Sequence, residues 1–104
     1  MIKVSVLYPF KDGVGFDMNY YLNSHIPMVR TKLGAACKGA SVEQGVAGGA
    51  PGTHPAYIAM GHLLFDSVES FQAAFAPHAT AIMADIPNYT AIQPVIQISE
   101  VKMS

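Results

Sequence analysis

Residues 56–65 have the sequence Ala-Tyr-Ile-Ala-Met-Gly-His-Leu-Leu-Phe. The apolar residues of this stretch occupy both the odd and the even positions, whereas a strand with one face in water alternates between apolar and polar residues. The run is too short to span a membrane. The stretch therefore predicts a central strand of a sheet that is covered on both faces.

Three further strands are predicted on either side of this central strand. Residues 2–8 carry apolar side chains at every second position, and Pro9 ends the run. A second alternating run covers residues 38–46, and the last strand covers residues 94–103. The glycine-rich segment 47–55 lacks the helix and the lysine that follow a phosphate-binding loop, so we interpret it as a flexible loop.

The first helix is predicted between the first two strands of the chain. Asp17 is a suitable N-cap, because its carboxylate can accept hydrogen bonds from free N–H groups of the first turn. The helix should end near Gly34, since glycine commonly follows the last helical residue. Pro27 disfavours helical backbone at Ile26, so we expect the helix to kink or break there.

The second helix is predicted after the central strand. Asp66 and Glu69 have the spacing of a capping box, and apolar residues then recur at helical spacing to about Ala76. A further short helix is predicted over residues 78–84. The order of elements is β-α-β-β-α-β, which is typical of the α+β, ferredoxin-like class: a four-stranded antiparallel sheet with its helices on one face.

No segment of the chain is left to cover the other face of this sheet, although that face is apolar at Leu7, Met60 and Leu64. Charged residues make up only 12% of the chain, about half of the usual ~25%. A small monomer needs a charged surface to stay in solution. We therefore expect one domain over residues 1–104 that forms a homodimer in which two sheets pack face to face.

The composition also excludes several classes of function. The net charge is −1 and no run of Lys or Arg is present, which argues against nucleic-acid or membrane-surface binding. No apolar run is long enough for a membrane span, and the alternating first residues are unlike a leader peptide. Cys37 is the only cysteine, so no internal disulfide can form. We therefore expect a cytoplasmic protein. No organic cofactor is expected, because no nucleotide-binding motif is present.

Three stretches carry a resemblance to a known family. They are Phe16-x-x-x-Tyr20-Tyr21-x-x-x-His25-x-Pro27, Gly61-His62-Leu63-Leu64-Phe65-Asp66-Ser67 with Phe71 and Phe75, and Asp85-Ile86-Pro87-Asn88-Tyr89 leading into Pro94-x-x-Gln97. In this order and spacing the chain resembles the EthD family, which is named for ethyl tert-butyl ether degradation. The resemblance implies a ferredoxin-like fold that pairs as a dimeric α+β barrel, and an association with the breakdown of organic compounds. It does not select a reaction, because the wider superfamily includes cofactor-free monooxygenases, cyclases and isomerases.

His25 and Tyr21 are the first candidates for catalysis. They are four residues apart, so they project from the same face of the predicted helix. An imidazole can accept or donate a proton near neutral pH, and a phenol beside it can orient it or bind a developing enolate. The alternative is that His25 only binds free carbonyl groups at the kinked end of the helix. The residues alone favour this structural role, and the resemblance makes the two roles equally open, because His25 lies in its most specific motif.

His62 is the third catalytic candidate, because it lies in the most apolar strand and a buried imidazole needs a partner. Its alternative role is that of a core or dimer-interface residue. Candidate substrate-binding residues are aromatic or polar side chains that could line a hydrophobic cavity: Ser5, Tyr20, Tyr57, Tyr89 and Gln97. All five could equally be core or solvent-facing positions. The four histidines match no local metal-ligand spacing, so no metal is expected, and ligation of a haem by a single histidine stays open.

The sequence leaves three functions open. The first is a cofactor-independent enzyme of the oxygenase, isomerase or cyclase type that acts on a small hydrophobic carbonyl or phenolic compound. His25 would be its acid and base, with Tyr21 and His62 assisting. The second is a non-catalytic binder or carrier of such a compound, serving a separate oxidising system. The third is a structural dimer without a ligand, which a cavity beside His25 would contradict.

Overall fold

The computed structural model describes residues 1–104 and contains one four-stranded antiparallel sheet. Its strands are β1 (Ile2–Pro9), β2 (Gly39–Gln44), β3 (Tyr57–Phe65) and β4 (Val95–Glu100). Their order in the sheet is β2-β3-β1-β4, and every neighbouring pair is antiparallel. The central position of β3 and the ferredoxin-like α+β class are therefore confirmed.

The first helix, α1, covers residues 18–33 without a break. Asp17 caps it, since its Oδ1 accepts the N–H of Tyr20 at 3.0 Å. The expected break at Ile26 was wrong, because a π-helical turn over Tyr21–His25 precedes it and the Ile26 N–H bonds the carbonyl of Tyr21. Pro27 then falls in the first turn of the following α-helical segment, where its missing N–H costs nothing.

Two shorter helices follow β3, namely α2 (Val68–Phe75) and α3 (Ala79–Ala84). A 3₁₀ turn joins them, and a second 3₁₀ turn, Ile86–Asn88, follows α3. The predicted capping role of Asp66 was wrong: the Ser67 hydroxyl accepts the N–H of Ser70 at 3.0 Å and caps α2.

The helices cover one face of the sheet and bury two clusters of apolar side chains there. One cluster contains the fully buried Phe65 together with Val29, Leu33 and Phe71 from the helices. The other is mainly aromatic, and its buried members are Tyr8, Tyr21, Ala59, Tyr89 and Ile92. The cavity described below lies between these two clusters.

The opposite face of the sheet has no helix over it. Residues that pair directly across strands share a face, so Leu7 lies between Met60 on β3 and Val95 on β4. β4 is also an edge strand, and Val95, Ile96 and Ile98 are 50%, 46% and 40% exposed. No helix combines the length and the apolar character that a membrane crossing requires.

Candidate functional site

A cavity of about 200 Å³ lies between the helix-covered face of the sheet and the helices. Of its 16 lining residues, 14 are hydrophobic. The polar atoms come mainly from Tyr8 on β1 and from Tyr21 and His25 on α1, and all three residues are at most 4% exposed. The site is therefore an apolar chamber with one polar end.

The π-helical turn of α1 sets the geometry of this polar end. A π-helical turn follows i→i+5 hydrogen bonds and is wider than an α-helical one, and such turns are common at functional sites. Tyr21 and His25 are the first and last residues of the turn, and their rings stack at 5.5 Å between centroids with 13° between planes. The same-face placement that the spacing predicted is confirmed.

His25 is anchored by Asp85, which lies just before the 3₁₀ turn Ile86–Asn88. The His25 Nδ1 is 2.8 Å from Oδ2 of Asp85. The other carboxylate oxygen, Oδ1, accepts the Tyr20 hydroxyl at 2.7 Å and the Asn88 amide at 2.9 Å. Three donors thus hold one carboxylate in place against the imidazole.

The protonation states of this pair follow from their surroundings. Desolvation would raise the pKa of Asp85, but the hydrogen bonds from Asn88, Tyr20 and His25 outweigh it and hold the pKa below its ordinary value. Burial lowers the pKa of His25, and the attraction of Asp85 only partly offsets this. At neutral pH we therefore assign a carboxylate to Asp85 and a neutral imidazole to His25, with its proton on Nδ1.

The other ring nitrogen of His25 faces the aromatic cluster. Its Nε2 is 3.3 Å from the Tyr89 hydroxyl, which lies 2.6 Å from the Tyr8 hydroxyl. Burial raises the pKa of Tyr8, Tyr21 and Tyr89, so all three phenols stay protonated at neutral pH. The Tyr21 hydroxyl lies near enough to Tyr8 to influence its pKa, yet it forms no hydrogen bond of its own within 3.5 Å. Tyr21 lines the wall of the cavity, and the Tyr8 hydroxyl is the nearest hydrogen-bonding group to its own hydroxyl.

Gly61 of β3 makes room for that hydroxyl. A Cβ atom at this position would overlap the Tyr21 hydroxyl oxygen, while the nearest ring carbons of Tyr21 would lie at 3.5 and 3.9 Å, an ordinary contact. Only glycine therefore allows the Tyr21 hydroxyl to occupy this place above the sheet.

Gly61→Ala is expected to lower the free energy of unfolding by about 1–3 kcal/mol, because the core must shift to admit the methyl group. Urea denaturation measures this effect. Adding Tyr21→Phe should recover most of the loss, since it removes the overlapping atom, and Gly49→Ala is the control because open space surrounds that glycine. Equal stability of Gly61→Ala and the wild type would contradict the tight fit.

The neutral state of His25 is expected to make the fold sensitive to acid. Because folding lowers the pKa of His25, the unfolded chain binds a proton that the folded chain rejects once the pH falls below about 6.5. The stability gained from the neutral imidazole is complete above that pH and is lost as the pH falls toward the lowered pKa. The urea midpoint should drop between about pH 7.5 and about pH 5, and it should drop less in His25→Gln. An identical pH dependence in that variant would contradict the assignment.

The sheet separates the other candidate residues from this site. His62 and Ser5 lie on the uncovered face, where His62 Nδ1 is 2.8 Å from the Ser5 hydroxyl and Nε2 is 3.0 Å from Oε1 of Glu43. Gln97 lies on that face as well and bonds Ser99 at 3.1 Å. The structure therefore does not bring His62, Ser5 or Gln97 to His25.

The predicted aromatic residues divide in the same way. Tyr89 does not line the cavity, but its hydroxyl bonds Tyr8 and His25, which do. The hydroxyl of Tyr20 bonds Asp85, and its ring stacks on Tyr89 at 6.1 Å between centroids. Tyr57, at the start of β3, does not line the cavity. Neither Tyr8 nor Asp85 was among the predicted site residues. No grouping of three or more His, Cys, Asp or Glu side chains is placed to hold a metal ion.

The fold and the chamber define a ferredoxin-like α+β protein with an apolar site between its sheet and its helices. The model of the EthD domain matches residues 16–93, so the chain belongs to the EthD family. An EthD-like protein from Ralstonia eutropha JMP134 is 50% identical, with a TM-score of 0.94 over 98% of this chain and 92% of that one. The predicted family is thereby confirmed.

Two more distant solved structures show the fold alone. An ethyl tert-butyl ether degradation (EthD) family protein from Bacillus halodurans C-125 is 20% identical, with a TM-score of 0.67 over 97% of this chain and 98% of that one. A dimeric ferredoxin-like protein from Thermobifida fusca YX is 19% identical, with a TM-score of 0.53 over 96% and 90%. The comparison with curated proteins finds no match.

Proposed function

We propose that the cavity binds a small hydrophobic carbonyl or phenolic compound and carries out cofactor-independent acid/base chemistry on it, of the oxygenase, isomerase or cyclase type. The observation that carries this proposal is the pairing of the Asp85-anchored His25 with the stacked Tyr21 phenol at one end of an apolar chamber. An engineered apolar cavity of roughly 150 Å³ holds benzene. A chamber of about 200 Å³ suits a single-ring compound.

In the reaction we propose, the Tyr21 hydroxyl donates a hydrogen bond to the carbonyl oxygen of the substrate. A proton on the adjacent carbon then moves to Nε2 of His25, whose long 3.3 Å contact with Tyr89 is readily replaced. The substrate becomes an enolate, and its charge rests against the neutral Tyr21 phenol. Asp85 stabilises the imidazolium that forms.

The test is proton exchange at the methyl group of deuterated acetophenone, a single-ring ketone, followed by NMR in water. His25→Gln should lower the exchange rate by about 10²–10⁴-fold, which is typical of one proton-transfer group. Tyr21→Phe should also lower it, while Tyr57→Phe, outside the cavity, should not. Exchange at the same rate in wild type and His25→Gln, with acetophenone bound to both, would contradict catalysis.

A non-catalytic binder or carrier is the second candidate function. It is favoured by the fact that both ring nitrogens of His25 already have partners within the protein. The same experiment separates the two, because a carrier binds acetophenone with no effect on proton exchange. Either function would fit a role in the breakdown of organic compounds, which we propose from family membership. We also propose a cytoplasmic location, because the single Cys37 is a free thiol and thiols stay reduced in the cytoplasm.

We also infer that the protein is a homodimer paired through the uncovered face of the sheet, as in a dimeric α+β barrel. Leu7, Met60 and Val95 form an apolar row across that face, and β4 carries exposed apolar side chains on both of its faces. A monomer would leave this edge strand open to aggregation. We propose a second copy of this chain as the partner on this face, because its own uncovered face is equally apolar and the chain carries few charged residues.

A further inference from the structure

The polar end of the cavity is shut off from solvent by its own side chains. Tyr8, Tyr21, His25 and Tyr89 are 1%, 2%, 4% and 4% exposed. A proton that leaves the cavity at this end must therefore cross this layer to reach water. Asp85 is the nearest charged group, and its side chain keeps 17% of its surface exposed.

The hydrogen bonds that cross this layer can run in one direction only. A carboxylate cannot donate, so Asp85 accepts the Nδ1–H of His25 and leaves Nε2 as a bare acceptor. Tyr89 must then donate its hydroxyl proton to Nε2. Having used its proton, Tyr89 accepts the proton of Tyr8 at 2.6 Å. Every proton in the series points away from the cavity and toward Asp85.

We propose that the hydroxyls of Tyr8 and Tyr89 and the imidazole of His25 form a proton path from the cavity to the surface carboxylate of Asp85. A proton that arrives at the Tyr8 oxygen releases the Tyr8 proton to Tyr89, and the Tyr89 proton passes to Nε2. The imidazolium then gives its Nδ1 proton to Asp85 or to water beside it. One proton enters and one leaves, and each phenol keeps one proton. The path deepens the proposed function and rests on it only for the use of the proton. It operates while Tyr89 stays bonded to Nε2, and the direct transfer proposed above takes its place when a substrate replaces that contact.

The surroundings of His25 suit this role. The ionisable groups that face it are Tyr21 on its own helix, Asp85 after α3, and Tyr89 at the end of the following 3₁₀ turn. Asp85 is the only one that carries a charge at neutral pH. A neutral imidazole between one carboxylate and one phenol can accept a proton on one nitrogen while it releases one from the other.

The path can be tested without any ligand, through the rate at which the Tyr8 hydroxyl proton exchanges with water. With tyrosine labelled at Cζ, the carbon signal in mixed H₂O and D₂O splits into two lines when hydroxyl exchange is slow. We expect Tyr89→Phe, which removes one hydroxyl and little else, to slow exchange at Tyr8 by about 10²-fold, the low end for one proton-transfer group. Tyr20→Phe is the matched control, because Tyr20 bonds Asp85 but lies outside the path.

Unchanged exchange at Tyr8 in Tyr89→Phe would overturn the path, since protons would then reach Tyr8 from the cavity side. His25→Gln gives a second and independent interruption, and it should slow Tyr8 exchange as well. This result is separate from the fate of the proposed function. Slow Tyr8 exchange in both variants would support the path even if the protein never catalysed proton exchange on acetophenone. Catalysis together with unchanged Tyr8 exchange would contradict the path and leave the proposed function in place.

Discussion

Asp85→Asn is expected to lower the catalytic rate on acetophenone by about 10²–10⁴-fold while the fold is kept. The reason lies in the donors around the carboxylate. Oδ1 of Asp85 faces two donors, the Tyr20 hydroxyl and the Asn88 amide, so the oxygen of an asparagine must stay on that side. Its NH₂ group then faces His25 and donates to Nδ1.

The imidazole must therefore carry its proton on Nε2, so this nitrogen can no longer act as a base. The measurement is kcat/KM for proton exchange, with the His25 tautomer followed by ¹⁵N NMR. Tyr20→Phe is the control, because it removes one donor to Asp85 and leaves the carboxylate and the tautomer in place. Full activity in Asp85→Asn would show that His25 is not the base.

The second large effect is expected on the assembly. Leu7→Glu places a carboxylate in the middle of the apolar row between Met60 and Val95. In a face-to-face dimer two such carboxylates would be buried without partners, at a cost of several kcal/mol each. In the monomer the same side chain stays in water, so folding should suffer little.

Sedimentation is expected to give a dimer for the wild type and a monomer of 11.1 kDa for Leu7→Glu. Leu22→Glu, at a 46% exposed position on α1 away from that face, is the control and should leave the dimer intact. A wild-type monomer at working concentrations would contradict the pairing of sheets. A Leu7→Glu dimer would move the interface to another surface.

The fold followed from the sequence because its strands and helices have clear periods. The two-sided apolar pattern of residues 56–65 correctly predicted the strand at the centre of the sheet. The predicted break at Ile26 was wrong. The rule used there considers only Pro27 and the residue before it, and it does not take into account a π-helical turn that carries the helix through this position. The N-cap of α2 is Ser67 and not the predicted Asp66, because the Ser67 hydroxyl accepts the N–H of Ser70.

The site was harder to predict than the fold. Alternation along β3 places His62 and Gly61 on opposite faces, but both faces are apolar, so the pattern could not tell which one the helices cover. Asp85 reaches His25 only because the turn after α3 docks against α1, sixty residues away in the chain. No spacing rule connects them. Tyr8 lies among the alternating apolar residues of β1, and nothing in this pattern predicts its hydrogen bond to Tyr89, 81 residues away in the chain.

The most direct test of the central claim is an NMR titration with acetophenone labelled with ¹³C at its carbonyl carbon. We expect the backbone signals of Tyr21, His25 and Gly61 to shift and saturate together. The carbonyl signal should move downfield as it accepts the Tyr21 hydroxyl, and Tyr21→Phe should abolish that movement. Saturable shifts confined to other residues, or a carbonyl signal that responds equally in Tyr21→Phe, would contradict a ligand site at the polar end of this cavity.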